Sequence, residues 1–183
     1  MTQRHVALLR GINVGRARRV AMRDLRAMFE SLGYTDVRTL LNSGNVVFAG
    51  RGAPGRHVER IEGALARDLD LPVRVVVLTA AELGTIAAEN PFTPDDGAAS
   101  RLLVAVLADP ADRDLLVPLT RESWGADSLA LGARAAYLWC PGGVLESPLP
   151  EAVARLLGER VTTRNSATIG KLVAAVAPGG SDR

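Results

Sequence analysis

The 183-residue chain carries 22 Lys and Arg against 20 Asp and Glu, a net charge of +2, and a single cysteine, Cys140. Its length suits one domain or two small ones, burying roughly 70% of the surface exposed on unfolding. A lone cysteine excludes a disulfide framework, no apolar run approaches the ~20 residues of a membrane-spanning helix, and two excess charges are too few to identify a nucleic-acid binder.

From the N-terminus, residues 4–10 read as a strand. Met22, Leu25, Phe29 and Leu32 then recur at helical spacing until Gly33 ends the helix. In "DVRTLLNSGNVVFAG" two β-rich arms flank Asn42-Ser43-Gly44-Asn45, the pattern of a hairpin. Val58, Ile61, Leu65 and Leu69 mark a second helix, and "VRVVVL" (73–78) a fourth strand. A helix through Leu83, Ile86 and Ala87 stops at Asn90-Pro91, because a residue before proline is pushed out of the α region. "PFTPDDGAAS" (91–100) reads as a linker. Beyond it come a strand at "RLLVAVL", a helix over 110–120, and "DSLALG" and "RAAYLWC" as a hairpin across Gly132-Ala133. A helix over 149–158, a short strand at "RVTT" and a terminal helix over 166–177 complete the chain.

The order βαββαβ thus occurs twice. It predicts an α+β fold of two ferredoxin-like subdomains with antiparallel sheets, residues 1–90 and 101–183, the second carrying the terminal helix. In that topology the loop after the first strand and the hairpin between strands two and three emerge at the same end of the sheet. Residues Arg10, Gly11, Asn13, Gly15, Arg16, Arg18 and Arg19 are therefore expected beside Ser43, Gly44 and Asn45. Glycine-permitted backbone N–H groups, carboxamides and guanidiniums together suit phosphate or carboxylate oxygens. "NSGN" is equally ordinary turn chemistry, and the arginines equally a solvated loop.

A second constellation lies in "TTRNSATIGKL" (162–172). Arg164 arrives on a strand end, Asn165 or Ser166 can cap the next helix, and Thr168 and Lys171 share a helix face. Lys171 is the only lysine in the chain. A capped helix with an exposed lysine is the plain alternative. The expectation is that both constellations face one cleft between the subdomains and hold a phosphorylated small molecule or a nucleic-acid backbone. Cofactor and metal are expected to be absent: His5 reads as a strand residue, His57 opens a helix, Cys140 packs, Asp95-Asp96 lie in the linker, and Ser43 has no neighbouring base. Phe48, Tyr137 and Trp139 are the only aromatics on predicted strands, too few to favour a stacking platform for single strands. "MTQRHVALLR" lacks the apolar core and cleavage site of a signal peptide, so a cytoplasmic location without a membrane partner is expected.

"VALLRGINVG", "M..L...FESLGYTDVRTLLNSGNVVF", "ENPF" and "TTRN..T..KL" together resemble the bacterial domain-of-unknown-function family 1697. The resemblance implies a cytosolic α+β fold of two related subdomains and no established activity. It marks Arg10, Gly11, Asn13, Gly15, Ser43, Gly44, Asn45, Arg164, Asn165, Thr168 and Lys171. Three segments depart from the family pattern. Arg16-Ala17-Arg18-Arg19 replaces a glycine with lysines, Leu145-Glu146-Ser147-Pro148 replaces Gly-Arg-Ser-Lys, and Ser166-Ala167 replaces Trp-Asn. The leading expectation is a binding protein for a phosphate-bearing ligand. The alternatives are an enzyme on a small anionic substrate, with Lys171 as its reactive group, and a structural or interaction module.

Overall fold

The computed structural model describes residues 2–13, 19–95 and 97–177. Among the described residues, eight strands and five α-helices run in the order β1 (Gln3–Leu9), α1 (Met22–Ser31), β2 (Thr35–Leu40), β3 (Asn45–Gly50), α2 (Pro54–Leu69), β4 (Val75–Thr79), α3 (Ala80–Ala88), β5 (Leu102–Leu107), β6 (Ser128–Leu131), β7 (Ala135–Trp139), α4 (Leu149–Leu157), β8 (Val161–Asn165) and α5 (Ser166–Val176). They form two four-stranded antiparallel sheets, ordered β2-β3-β1-β4 and β6-β7-β5-β8. Both place the first and third strand of their half side by side, as the split βαββαβ arrangement requires. Among the described residues no helix is long and apolar enough to cross a membrane.

The chain divides into two compact units, Met1–Leu83 with Leu172–Arg183, and Gly84–Lys171. The last turns of α5 belong to the first unit. The last carbonyls of α5 accept hydrogen bonds from the first sheet: Arg38 Nη2 donates to Ala175 O at 2.6 Å and Arg4 Nη1 to Ala177 O, also at 2.6 Å. Guanidiniums at a helix C-terminus satisfy carbonyls that lack an intrahelical partner and meet the negative end of the dipole.

In the first unit, residues that alternate along the strands send Ala7, Leu9, Val46, Phe48, Val75 and Val77 to the face covered by α1 and α2. Leu25, Met28 and Phe29 of α1 and Ile61, Ala64 and Leu65 of α2 meet them at helical spacing. Val6, Leu8, Val47, Val76 and Leu78 point to the opposite face and are buried as well, so these strands read as nearly unbroken apolar runs. The second unit repeats the pattern, with Ala105, Leu107, Ala136 and Leu138 packed under Leu116, Val153 and Leu157. One element differs in kind from its expectation. Residues Pro110–Arg121 form a 3₁₀ helix with Pro118 inside it. Proline lacks the N–H that an α-helix needs there and its ring crowds the preceding turn, which disfavours an uninterrupted α-helix through this segment.

Candidate functional site

β1 ends where the backbone changes hands. Leu9 N donates to Gly44 O at 2.8 Å, and Arg10 N donates to Arg74 O at 2.9 Å. Gly11 (φ 64°) and Asn13 (φ 55°) then take left-handed conformations, which glycine adopts freely and asparagine tolerates better than most residues. Asn13 Nδ2 donates to Asn42 O at 2.8 Å and to Val20 O at 3.1 Å, while its Oδ1 accepts from Val20 N at 2.9 Å. One side chain therefore ties both ends of the loop to each other and to the hairpin. Beneath it Ile12 is buried against Gly44 (φ 75°). Asn45 is wholly buried, its Nδ2 donating to Leu40 O and to Ser43 Oγ, each at 2.9 Å. The loop and the hairpin are thus brought together, through Asn13 and Asn42. Gly15, with Arg16 and Arg18, lies outside the described residues.

The polar atoms of Asn13 and Asn45 are engaged with backbone and hairpin groups. What faces open space is adjacent. A cleft of about 510 Å³ is lined by Asn13, Arg19, Val20, Ala21, Met22 and Asn42. It opens at the start of α1, whose N-cap, Ala21, is extended (φ −72°, ψ 139°) and carries no side-chain oxygen to accept from the first helical N–H groups. A helix start that no side chain caps is positive at its tip and favours an anion. Ala21 and Met22 were missed from the sequence. Their signal was the absence of Ser, Thr, Asp or Asn before the first apolar residue of α1.

The second constellation is built differently. Arg164 on β8 is only 8% exposed, and its Nη1 donates to Thr162 Oγ1 at 3.0 Å and to Thr163 O at 2.8 Å. Loss of hydration pulls its pKa down to about 10. Asn165 caps α5, its Oδ1 accepting from Thr168 N at 2.9 Å, and Ser166 Oγ donates to Ala99 O at 3.0 Å. Thr168 is buried and Lys171 exposed. All of these lie in the second unit and the Arg10–Asn45 group in the first.

Among the described residues no three His, Cys, Asp or Glu side chains are grouped to hold a metal ion. Cys140 is fully buried and its thiol is pushed up by burial, the opposite of the shift that activates a nucleophile.

A family model, described as "Protein of unknown function (DUF1697)", matches residues 1–137. The chain belongs to that family. Its fold is shared with the conserved bacterial protein SP0830 from Streptococcus pneumoniae, at 21% identity and a TM-score of 0.78 over 97% of this chain and 100% of that one. No curated protein matches the chain. At that identity the likeness to the streptococcal protein carries the fold of this DUF1697 member and nothing about a ligand.

Proposed function

We propose that the protein binds a phosphate-bearing ligand, a nucleotide or a nucleic-acid backbone, in the cleft at the start of α1. The observation that carries this reading is the cleft itself: Arg19 stands on its wall beside helix N–H groups that no side chain caps. Its volume of about 510 Å³ falls within the range of small-ligand sites, ~300–1,000 Å³. The donors suit phosphate chemically, since a guanidinium forks onto two oxygens while backbone N–H groups take a third.

A second reading has its own support. Asn13, Asn45, Arg164 and Asn165 all hydrogen-bond the chain itself, as they would in a module whose polar motifs serve turns and caps. A thermal-shift panel of inorganic phosphate, nucleotides and short oligonucleotides at fixed ionic strength separates the two. A ligand at one hundred times its dissociation constant adds about 2.7 kcal/mol, a rise of roughly 5–11 °C for a chain of this size. Arg19→Ala is expected to abolish the shift. Lys171→Arg, tested in parallel, reports whether the 162–172 segment takes part. No shift from any member, or shifts indifferent to Arg19→Ala, would refute the cleft and leave the structural module.

A further inference from the structure

The chain has two histidines, and the first unit buries both. His5 on β1 is 0% exposed and His57 on α2 is 1% exposed, with ring centroids 4.6 Å apart at 64°. Phe48 stacks on His5 at 5.3 Å, and Tyr34 meets His57 edge-on. Each Nδ1 has a partner. That of His5 lies 3.0 Å from Gln3 O, which can only accept, so this nitrogen carries the proton. That of His57 lies 2.9 Å from Tyr34 Oη. Neither Nε2 has a hydrogen-bond partner, and both are sealed from solvent.

We infer that the His5–His57 pair is an acid-sensitive latch, neutral at pH 7, whose protonation releases the first turn of α2 and the 50–53 turn from the first sheet. On His5, whose Nδ1 already holds a proton, a second would make a donor of a buried Nε2 that has no hydrogen-bond partner, and on His57 it would turn both ring nitrogens into donors with Tyr34 Oη as the hydrogen-bond partner in place. The rings are also too close to be charged together. His57 is the fourth residue of α2, in the turn where the helix dipole opposes a cation. The surrounding charges are few. Arg60, whose guanidinium lies 5.2 Å over the Tyr34 ring, acts against a charge on His57, as does His5 itself. The Gly52 backbone pulls His57 the other way, and the Gln3 backbone followed by Glu82 do so for His5, less strongly than burial in each case. Glu82 accepts from Thr79 N at 2.7 Å and Thr79 Oγ1 at 2.9 Å. Tyr34 is itself pushed up by burial and stays neutral in this range.

The segment released is the one seated on the rings. A Cβ on Gly50 would lie 3.0 Å from the Tyr34 ring and 3.2 Å from His57. Any expansion of the pair is therefore felt first at the turn entering α2.

The sign of the pH effect follows from linkage. Both histidines have native pKa values below the ordinary 6.5, so well above pH 6.5 both rings are neutral in native and unfolded chains alike. As pH falls below 6.5 the unfolded chain takes up protons that the native one refuses, and stability is lost until the native values are reached. Each withheld proton multiplies the unfolding constant by up to about tenfold per pH unit, so the pair gives up to about a hundredfold. The test uses the full chain between pH 7.5 and 5.5. Proton NMR of the two imidazoles is expected to show neither titrating at 6.5 or above. Urea unfolding is expected to steepen with acid as stated, and amide exchange over residues 50–58 to accelerate first. His5→Phe, which retains an aromatic against Phe48, is expected to reduce the dependence to about tenfold per pH unit. Native titration at or above 6.5, an unfolding constant flat across the range, or a His5→Phe variant with the full original slope would overturn the latch. If that variant fails to fold, the imidazole titration and slope of the native sequence decide alone.

Discussion

Gly44→Ala tests whether the N-terminal loop and the β2–β3 hairpin form one packed junction. Gly44 sits at φ +75°, where an L side chain costs about 1–2 kcal/mol. A Cβ there would also lie 2.7 Å from Ile12 Cγ1 and Cδ1 and 2.9 Å from Leu9 Cβ. The end of Ile12 can rotate, but Leu9 Cβ belongs to a strand paired on both sides, so the contact cannot relax without moving β1. Overpacking of this kind costs about 1–3 kcal/mol, for a total of about 2–5 kcal/mol. Gly33→Ala is the matched control. Gly33 has nearly the same φ, +79°, and nothing within 4 Å of its Cβ position, so only the conformational part applies. Urea unfolding followed by circular dichroism measures both. Gly44→Ala is expected to exceed Gly33→Ala by about 1–3 kcal/mol. Equal losses would refute the packed junction, because they would mean that the hairpin tip moves away from Ile12 without penalty.

Asn165→Ala removes the acceptor of Thr168 N at the start of α5 and is expected to cost about 1 kcal/mol in the same unfolding assay. Arg4→Ala combined with Arg38→Ala removes the donors to the carbonyls of residues 175–177, and hydrogen exchange is expected to quicken over 172–177 while the β1–β3 amides keep their protection.

The repeated βαββαβ order was legible because short-range chemistry determines it. Leu25, Met28 and Phe29, and Ile61 and Leu65, recur at the period of a helix, and Gly44 supplies the positive φ that the hairpin needs. Pro110–Arg121 was misread in type, since apolar spacing marks an inward face without distinguishing 3₁₀ from α, and only Pro118 signalled the difference. The contacts of the last turn of α5 with the first sheet were not legible, because Arg4 and Arg38 reach carbonyls more than a hundred residues away and no local pattern records such a contact.

The candidate site shows why residue type alone is an ambiguous guide to a ligand. Asparagine, arginine and glycine gather where backbone groups leave regular structure, and those groups need partners whether or not anything else binds there. Asn45 is the sharpest case: its position at the hairpin beside a basic loop suggests recognition, yet complete burial and its bonds to Leu40 and Ser43 commit the carboxamide to the hairpin. Asn13 does the same for the loop. By tying Val20 and Asn42 together, Asn13 places Arg19 and the start of α1, which no side chain caps, around one cleft. On the proposed reading, Asn13→Ala is expected to disturb binding and stability together, because Asn13 ties Val20 to Asn42, whereas Arg19→Ala, at an exposed position on the cleft wall, is expected to disturb binding more than stability. A residue that positions a site and one that contacts a ligand are separated by which of these two measurements moves.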